Sequence, residues 1–459
     1  MSAPLLVAAN RGPVSYAYDD DGRLVARRGG GGMVSGLVSA LGGSDAVWVC
    51  AAMSQADREA TRRGGLLTDG PVPVRMLDID PDVFQRAYNE IANSTLWFVN
   101  HLLYDTPLQP RFDAAWRHQW DGYVAYNRAF AEALAGEAAD GAQVMVQDYH
   151  LFLVPAMLRD LRPDVKIAHF THTPWAPPDY FALLPDDVAV EILRGLAAAD
   201  HVGFLCERWS KAYIACATRV LGDCDTSKVG VHALGVDPDD LRERSHRDDV
   251  ETALAELRAE VGDCAVLVRV DRTELSKNNV RGILAFGELL REHPEHRERV
   301  VHVVFAYPSR QDLRVYRDYT TAVMAAAGAV NDEFGTDDWR PVLISVRDDY
   351  PRSLAAMRLA DVLVVNPVRD GMNLVAKEGP VLSDAGVVLL LSRETGAAAE
   401  LAGAALMLNP YDIEATAARM HEAITMDRGE RGDRCARLVA AATALPPDRW
   451  FADQVAALR

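Results

Sequence analysis

Residues 361–378 read DVLVVNPVRDGMNLVAKE, and this stretch decides the fold. An apolar run ends at Asn366, a polar loop turns at Gly371, and a helix then begins. A strand that is apolar along its whole length is typical of a parallel sheet covered on both faces. Ligands of such sheets bind beyond the carboxyl ends of the strands, where the amides of a helix N-terminus attract negative charge. The stretch therefore predicts an α/β fold with a ligand loop.

Similar short apolar runs recur along the chain, separated by helical sequence rich in Ala, Leu, Arg and Glu. Two parallel sheets in series indicate two doubly wound, Rossmann-like domains. We place these domains at residues 1–235 and 236–445. A C-terminal helix at 446–459 either packs back on the first domain or forms an ordinary cap. The predicted strands are 5–9, 144–146, 166–170 and 202–205, then 265–270, 300–306, 341–345, 361–366 and 387–392.

Composition limits the partners of the protein. The 459 residues include 48 Lys and Arg against 66 Asp and Glu, which gives a net charge of −18. This charge repels a phosphate backbone, so we predict no nucleic-acid partner and expect an anionic substrate to need a local basic pocket. No run of about 18 apolar residues occurs and the first residues lack a basic lead, so we predict no membrane span and no export signal. The six scattered cysteines favour the reducing cytoplasm.

Polar residues follow several predicted strands directly. An arginine and a lysine five residues apart on one loop can hold a diphosphate from two directions and neutralise its charge as it leaves. Each candidate also has a structural interpretation. The cations can be solvated surface charges, the glycines at 29–32 a mobile loop, and the histidines structural residues. Asp78-Ile79-Asp80 is interpreted as the start of a helix and not as a metal site. The candidate residues are Arg11, Asp148, His172, Arg272 and Lys277.

Eight ordered motifs together resemble the trehalose-6-phosphate synthase family, which comprises retaining sugar-nucleotide transferases of the GT-B type. The resemblance implies two Rossmann-like domains that face each other across a cleft. We expect the domain at 1–235 to bind the acceptor and the domain at 236–445 to bind the nucleotide sugar. The resemblance also implies transfer of glucose from a nucleotide donor to glucose 6-phosphate with retention of the α configuration, without metal or another cofactor. The motifs are Asn10-Arg11, Gly31-Gly32, Tyr88 with residues 93–97, 147–150, 172–174, Arg272 with 276–277, 308–310 and 369–378.

The resemblance further implies a role for each matching residue. His172, Arg272 and Lys277 are the predicted catalytic residues, with Arg272 and Lys277 on the diphosphate. No residue needs to act as nucleophile or base, because the departing diphosphate oxygen can take the acceptor's proton on the same face. The predicted acceptor site consists of Arg11, Tyr88, Trp97, Asp148 and Arg310. The predicted donor site consists of Gly32, Asp370, Gly371, Met372, Asn373, Leu374, Val375, Ala376, Lys377 and Glu378.

The donor nucleotide is the point at which this sequence departs from the family pattern. Residues 273–278 read TELSKN where Leu-Asp-Tyr-Ser-Lys-Gly is usual, which indicates a rebuilt nucleotide pocket. The segment aligned with the family's base-contacting loop carries Asp348 and Asp349. Guanine offers two adjacent donors to a carboxylate, so we expect GDP-glucose to be favoured over UDP-glucose. Solvated loop charges are the other interpretation of these aspartates.

Three other functions stay open at this point. A pseudo-glycosyltransferase of the validoxylamine-phosphate synthase type would join a cyclitol nucleotide to an amino-cyclitol phosphate through a C–N bond. A non-catalytic sugar-phosphate sensor would keep the fold without the reaction. A glycogen-synthase-like enzyme would not need Arg11 and Arg310 for an acceptor phosphate. We expect a cytoplasmic enzyme with small-molecule substrates, and a homo-oligomer is left open.

Overall fold

The computed structural model describes residues 2–28, 37–38, 41 and 45–458. The chain divides into two compact units, Met1–Leu234 with Pro447–Arg459, and Gly235–Pro446. The acceptor-binding and donor-binding roles that the sequence suggests for the two halves stay predictions. In the part of the chain that is described, no helix is long and apolar enough to cross a membrane.

A seven-stranded parallel sheet forms the centre of the first unit, in the order β5-β4-β1-β6-β7-β8-β9. The chain winds outward from β1 in one direction and then from β6 in the other, so the two directions separate between β1 and β6. Ligands bind at this topological switch point in doubly wound sheets. A hairpin of β2 and β3 lies outside the sheet. The strands are β1 Ala3–Ala8, β2 Val14–Tyr18, β3 Leu24–Arg28, β4 Ala46–Ala51, β5 Val74–Leu77, β6 Ala138–Gln147, β7 Lys166–Thr171, β8 His201–Phe204 and β9 Val229–Val231.

Helices connect these strands and carry recognisable start signals. Asp80, for example, accepts hydrogen bonds from the amides of Asp82 and Val83, with Pro81 in the first turn. This pair of bonds makes Asp80 an N-cap. The α-helices are Gln55–Thr61, Pro81–Phe84, Trp97–His101, Ala114–Glu137, Val154–Leu161, Pro178–Phe181, Asp186–Ala197, Glu207–Leu221 and Pro447–Ala456, with a π-helical segment Gln85–Leu96 and 3-10 turns Tyr149–Leu151 and Thr226–Lys228.

A six-stranded parallel sheet forms the second unit in the order β12-β11-β10-β13-β14-β15. It is doubly wound in the same way, with its switch point between β10 and β13. The strands are β10 Ala265–Arg272, β11 Val300–Tyr307, β12 Val342–Ser345, β13 Val362–Val365, β14 Val388–Ser392 and β15 Leu406–Leu408. The α-helices are Pro238–Ser245, Asp248–Val261, Asn279–Glu292, Arg314–Phe334, Tyr350–Leu359, Val375–Leu382, Ala398–Leu401, Ile413–Thr425 and Arg428–Ala442, with 3-10 turns Leu275–Lys277 and Pro294–His296.

The predicted α/β class with two parallel, doubly wound sheets is confirmed. Every predicted strand is present, although the ends differ and 144–146 is the end of the longer β6. Sequence analysis missed β4, whose six residues are all buried, and β5, which alternates between buried and half-buried positions. It also missed the hairpin strands β2 and β3 and the short edge strands β9 and β15. In both sheets the central strands are buried on both faces, so the loops at their carboxyl ends stand on a rigid core.

Candidate active site

The loop after β1 presents one exposed cation on a fixed backbone. The Arg11 carbonyl accepts a hydrogen bond from the indole Nε1 of buried Trp48 at 3.1 Å. The preceding Asn10 is also buried, and its side-chain oxygen accepts a bond from the Tyr126 hydroxyl at 2.6 Å. The Arg11 guanidinium itself donates to the Tyr88 hydroxyl at 3.3 Å. Burial therefore holds the backbone, while the exposed guanidinium can meet an anion.

Aromatic side chains from the π-helical segment stand beside this loop. Tyr88 stacks on the imidazole of His150 at 5.7 Å, with 15° between the ring planes. Trp97 directly follows the segment, and its indole stacks on His101 at 3.9 Å. π-Helical geometry is rare and is frequently found at functional sites. The segment thus brings two predicted acceptor residues, Tyr88 and Trp97, into the first unit's cluster of rings.

Asp148 at the end of β6 has a strained backbone that is held in place from two sides. Its φ of 71° lies in the left-handed region, which costs a non-glycine residue about 1–3 kcal/mol. The Asp148 amide donates to the Phe170 carbonyl at 2.7 Å, and its carboxylate accepts the His172 amide at 3.1 Å. Strain of this kind persists when the surrounding structure fixes it, and it is common at active sites.

His172 is a neutral imidazole. Burial, together with a smaller effect of the neighbouring His169, lowers the pKa of His172 to about 3. Its Nε2 lies 2.9 Å from the side-chain oxygen of fully buried Gln147, which assigns the ring proton to Nε2. The Nδ1 lone pair is then an acceptor. His172 can therefore accept a hydrogen bond from a hydroxyl group, but it does not supply positive charge near neutral pH.

Lys277 in the second unit is fixed between two carboxylates. Its Nζ lies 2.6 Å from Asp370 and 3.6 Å from buried Asp271. Burial disfavours the ammonium, but the two carboxylates outweigh this effect and raise the pKa of Lys277 above its ordinary value. Behind them, fully buried Arg269 donates to the Asn366 side chain and lies 3.9 Å from Asp271. The lysine is thus charged and oriented by a row of alternating charges.

Arg272 differs from Lys277 in its surroundings, although both lie at the carboxyl end of β10. The Arg272 side chain is exposed at the last residue of the strand. Within the residues that the structure describes, no carboxylate forms an ion pair with it. The Arg272 carbonyl accepts a hydrogen bond from the side chain of buried Asn279 at 3.0 Å, which fixes the backbone. One cation of the pair is preorganised by the fold, and the other is open to solvent.

The loop between β13 and the next helix is built around Asp370. Its carboxylate accepts bonds from Lys277 at 2.6 Å and from the Asn373 amide group at 3.1 Å. Asn373 has a φ of 77°, and its side-chain oxygen accepts the Ala376 amide at 3.1 Å. A Cβ atom on Gly396 would lie 1.9 Å from the Gly371 carbonyl oxygen, so only glycine fits there. The predicted donor residues at 370–373 are therefore gathered in one rigid turn.

The helix Val375–Leu382 begins at this turn, and its predicted donor residues differ in burial. Lys377 is fully buried, and its Nζ lies 2.8 Å from both carboxylate oxygens of Glu400. The Lys377 side chain thus serves the fold, and a donor contact would use its backbone. Glu378 is half-buried, and burial raises the pKa of its carboxyl group while Arg244 opposes the rise. Met372 and Ala376 are buried, whereas Leu374 and Val375 are half-buried.

Arg310, a predicted acceptor residue, lies in the second unit and is held by a buried acid. Its Nη1 donates to the carboxylate of fully buried Glu274 and to the Tyr316 hydroxyl, the latter at 2.8 Å. Its backbone φ of 42° lies in the left-handed region. A phosphate bound at Arg310 would share the guanidinium with Glu274. The family position of Glu274 was noted in the sequence, but its pairing with Arg310 was not predicted.

The segment expected to contact the base uses one of its aspartates for the fold. Asp349 caps the helix Tyr350–Leu359, because its carboxylate accepts the Arg352 amide at 3.2 Å. It also lies 3.6 Å from the Arg347 guanidinium. Asp348 is exposed. Asp349 is therefore used by the helix cap, and Asp348 is the other carboxylate that the sequence suggested for binding guanine.

The predicted residues fall into two groups, one in each unit. Arg11, Tyr88, Trp97, Asp148 and His172 lie in the first unit, and the remaining predicted residues that are described lie in the second. Gly32 lies outside the described residues. Sequence reasoning missed Gln147 as the partner of His172 and Glu400 as the partner of Lys377. It also missed Asp271, although Asp271 directly precedes Arg272 in the sequence.

Comparisons with known proteins identify close relatives over the whole chain. A family model described as glycosyltransferase family 20 matches residues 4–459. Trehalose-6-phosphate synthase of Mycobacterium avium (strain 104) is 34% identical over 473 residues, which cover 98% of this chain and 94% of that protein. A solved α,α-trehalose-phosphate synthase (UDP-forming) from Burkholderia vietnamiensis has a TM-score of 0.85 and 29% identity and covers 100% of both chains. The corresponding enzyme of Burkholderia xenovorans, in complex with glucose-6-phosphate, has a TM-score of 0.87 and 26% identity over 99% of this chain and 100% of that chain.

Proposed function

The chain belongs to glycosyltransferase family 20, and from this premise we propose that it transfers glucose from a nucleoside-diphosphate glucose to glucose 6-phosphate, giving trehalose 6-phosphate. The observation that carries the proposal is the pair of cations at the carboxyl end of β10, with Lys277 fixed by Asp370 and Asp271 and with Arg272 exposed. The name of the Mycobacterium avium relative and the complex of the Burkholderia xenovorans relative with glucose-6-phosphate support the acceptor and the product.

The cation pair acts on the leaving group. When the bond between the anomeric carbon and the donor phosphate breaks, negative charge builds on the diphosphate. Lys277 meets this charge without a rearrangement, because Asp370 and Asp271 hold its side chain in place before substrate binds. Arg272 has a fixed backbone, so only its exposed side chain has to turn toward the diphosphate. Since the charge is larger in the transition state than in the bound donor, their contribution appears mainly in kcat.

The α configuration of the transferred glucose is retained if the acceptor hydroxyl approaches the anomeric carbon on the face from which the diphosphate departs. The new C–O bond forms as the old one breaks, and a diphosphate oxygen takes the hydroxyl proton. No protein base is needed for this step. His172, which is neutral, has a positioning role: its Nδ1 lone pair accepts a bond from a sugar hydroxyl, and its neutrality avoids competition with the cations for the diphosphate.

The phosphate of the acceptor distinguishes this function from that of a glycogen-synthase-like enzyme, which extends a polymer. Arg11 presents an exposed guanidinium beside the Tyr88 hydroxyl, and Asp148 and Trp97 stand in the same unit to bind the sugar. Arg310 stays a predicted second ligand of the phosphate, shared with Glu274. A charge-assisted hydrogen bond contributes about 1.5–3 kcal/mol, so loss of the phosphate should weaken the acceptor severely.

For the donor we propose UDP-glucose, although the sequence alone favoured GDP-glucose. The use of Asp349 as a helix cap takes away one of the two carboxylates on which the guanine prediction rested. The Burkholderia vietnamiensis and Burkholderia xenovorans relatives are both described as UDP-forming. Uracil presents a single N–H between two carbonyl groups, which a backbone can satisfy without any carboxylate.

A substrate matrix tests the proposal. UDP-glucose and GDP-glucose are each combined with glucose 6-phosphate, glucose and an amino-cyclitol phosphate, and the released nucleoside diphosphate is measured. We expect release with glucose 6-phosphate only, and faster release from UDP-glucose. Release with the amino-cyclitol phosphate alone would support the pseudo-glycosyltransferase, and no release with any acceptor would support the sensor.

A further inference from the structure

Three histidines and a glutamate lie together on the second unit, and none of them belongs to the proposed reaction site. His293, Glu295 and His296 follow the helix Asn279–Glu292, and His421 lies on the helix Ile413–Thr425. The rings of His293 and His421 stack at 3.7 Å with 10° between their planes. The potential ligand atoms of His293, Glu295 and His421 all lie within 4.8 Å of one another.

We propose that His293, Glu295 and His421 bind a divalent transition-metal ion of the zinc type. Imidazole nitrogen and carboxylate oxygen are ligands that Zn²⁺ prefers. Two such atoms, each about 2.1 Å from a tetrahedral ion, lie roughly 3.4 Å apart. The His293 Nδ1 and a Glu295 carboxylate oxygen are 3.1 Å apart, which is close to this spacing. Because His296 holds the His421 ring, the His293 ring turns about its Cβ–Cγ bond to direct its lone pair at the ion, and water fills the fourth position.

His296 supplies the support that a metal-binding histidine ordinarily has. It is buried, and its Nε2 lies 2.9 Å from His421 Nδ1. Between two neutral imidazoles one nitrogen donates and the other accepts. If His421 Nδ1 donates, its Nε2 lone pair is left for the ion, and the ring is held by its other nitrogen as is usual around metals. His296 is therefore a positioning residue in this site.

The position of the cluster points to a structural ion. The helix Asn279–Glu292 has 14 residues and begins next to the Lys277 loop, so its far end is about 21 Å from that loop. An ion held by His293 and His421 would tie this end to the helix Ile413–Thr425. It would stabilise the second unit without taking part in glucosyl transfer, for which the sequence predicts no metal.

Metal binding to the full chain tests the proposal. The chelator-treated protein is titrated with Zn²⁺ alone in equilibrium dialysis, and Co²⁺ is added separately to record the visible absorption of a tetrahedral site. His293→Gln and His421→Gln remove one ligand each, and His296→Gln removes the support. His118→Gln is the matched control, because His118 is exposed and lies in the first unit. All variants keep the six cysteines, so binding to thiols is common to them.

We expect the wild type and His118→Gln to bind one equivalent of Zn²⁺ and to gain about 5 °C or more in Tm at a hundredfold excess over Kd. His293→Gln and His421→Gln should lose this equivalent and this gain while keeping the wild-type Tm without metal, and His296→Gln should bind about 10–100 times more weakly. Equal stoichiometry and affinity in the wild type and in both ligand variants would overturn the proposal. So would the absence of binding to the wild type below about 100 μM Zn²⁺.

Discussion

Removal of Lys277 should damage both catalysis and folding, whereas removal of Arg272 should damage catalysis alone. In Lys277→Ala, the carboxylates of Asp370 and Asp271 lose their common cation. Their side chains are only 16% and 3% exposed, so they cannot be fully rehydrated. Breaking a buried pair by deleting one partner costs about 3–5 kcal/mol. In a unit of this size that corresponds to a fall in Tm of roughly 6–20 °C.

Arg272→Ala removes an exposed side chain, so its free energy of unfolding should stay within about 0.5 kcal/mol of the wild type. Both variants should lose about two to three powers of ten in kcat, as enzymes do when one preorganised donor to a developing charge is deleted. The KM of the donor should change much less, because the lost contacts strengthen in the transition state.

The assay pairs two measurements on each variant, steady-state release of the nucleoside diphosphate and chemical denaturation of the second unit. Lys211→Ala is the control for loss of a lysine, since its Nζ lies 2.8 Å from Glu207 on an exposed surface of the first unit. If Lys277→Ala unfolds at the same denaturant concentration as Arg272→Ala, the assigned role of the two carboxylates is wrong. If the donor KM alone rises in either variant, the role on the leaving group is wrong.

Three further outcomes are expected. Arg11→Ala should raise the KM of glucose 6-phosphate by about 10–150-fold, because each charge-assisted bond contributes about 1.5–3 kcal/mol. The KM of the donor should stay nearly unchanged. Equal changes in both KM values would argue against a phosphate contact. Asp349→Ala should destabilise the helix Tyr350–Leu359 by about 1 kcal/mol through loss of its N-cap. The ratio of the rates with UDP-glucose and with GDP-glucose should stay unchanged. A shift of this ratio would restore the guanine prediction. Burial lowers the pKa of His169 and of His302 to about 3, whereas both titrate near 6.5 when unfolded. Below pH 6.5 the unfolded chain therefore binds protons that the folded chain excludes. Each histidine should lower the free energy of unfolding by up to about 1.4 kcal/mol per pH unit as the pH falls toward 3. His302→Gln should reduce this slope in denaturation curves, and an unchanged slope would contradict the burial of a neutral His302.

Much of the fold could be predicted from the sequence, because the strands of a doubly wound sheet are buried on both faces and are apolar throughout. β13 and β14 show this plainly, since every residue in them is buried. β4 was missed although its six residues are all buried. β5 and β9 were missed for the opposite reason. β5 has four residues with alternating burial, and β9 has two half-buried residues and one exposed residue, so neither leaves a distinct pattern.

The family resemblance is confirmed by the match over residues 4–459, and it supplied most of the candidate site. Partners distant in sequence could not be predicted in the same way. Lys277 and Asp370 are 93 positions apart, and nothing local in either motif indicates that they touch. Lys377 illustrates the limit of a motif, because it belongs to the family motif at 369–378, yet its side chain is bound to Glu400 in the interior.

The measurement that tests the central claim most directly is the identity of the product formed from UDP-glucose and glucose 6-phosphate, read by NMR from its anomeric protons. We predict one new phosphorylated disaccharide with both anomeric centres in the α configuration, formed in step with release of UDP, and no product when glucose replaces glucose 6-phosphate. A β-linked product, a product formed equally from unphosphorylated glucose, or release of UDP without a disaccharide would contradict the account.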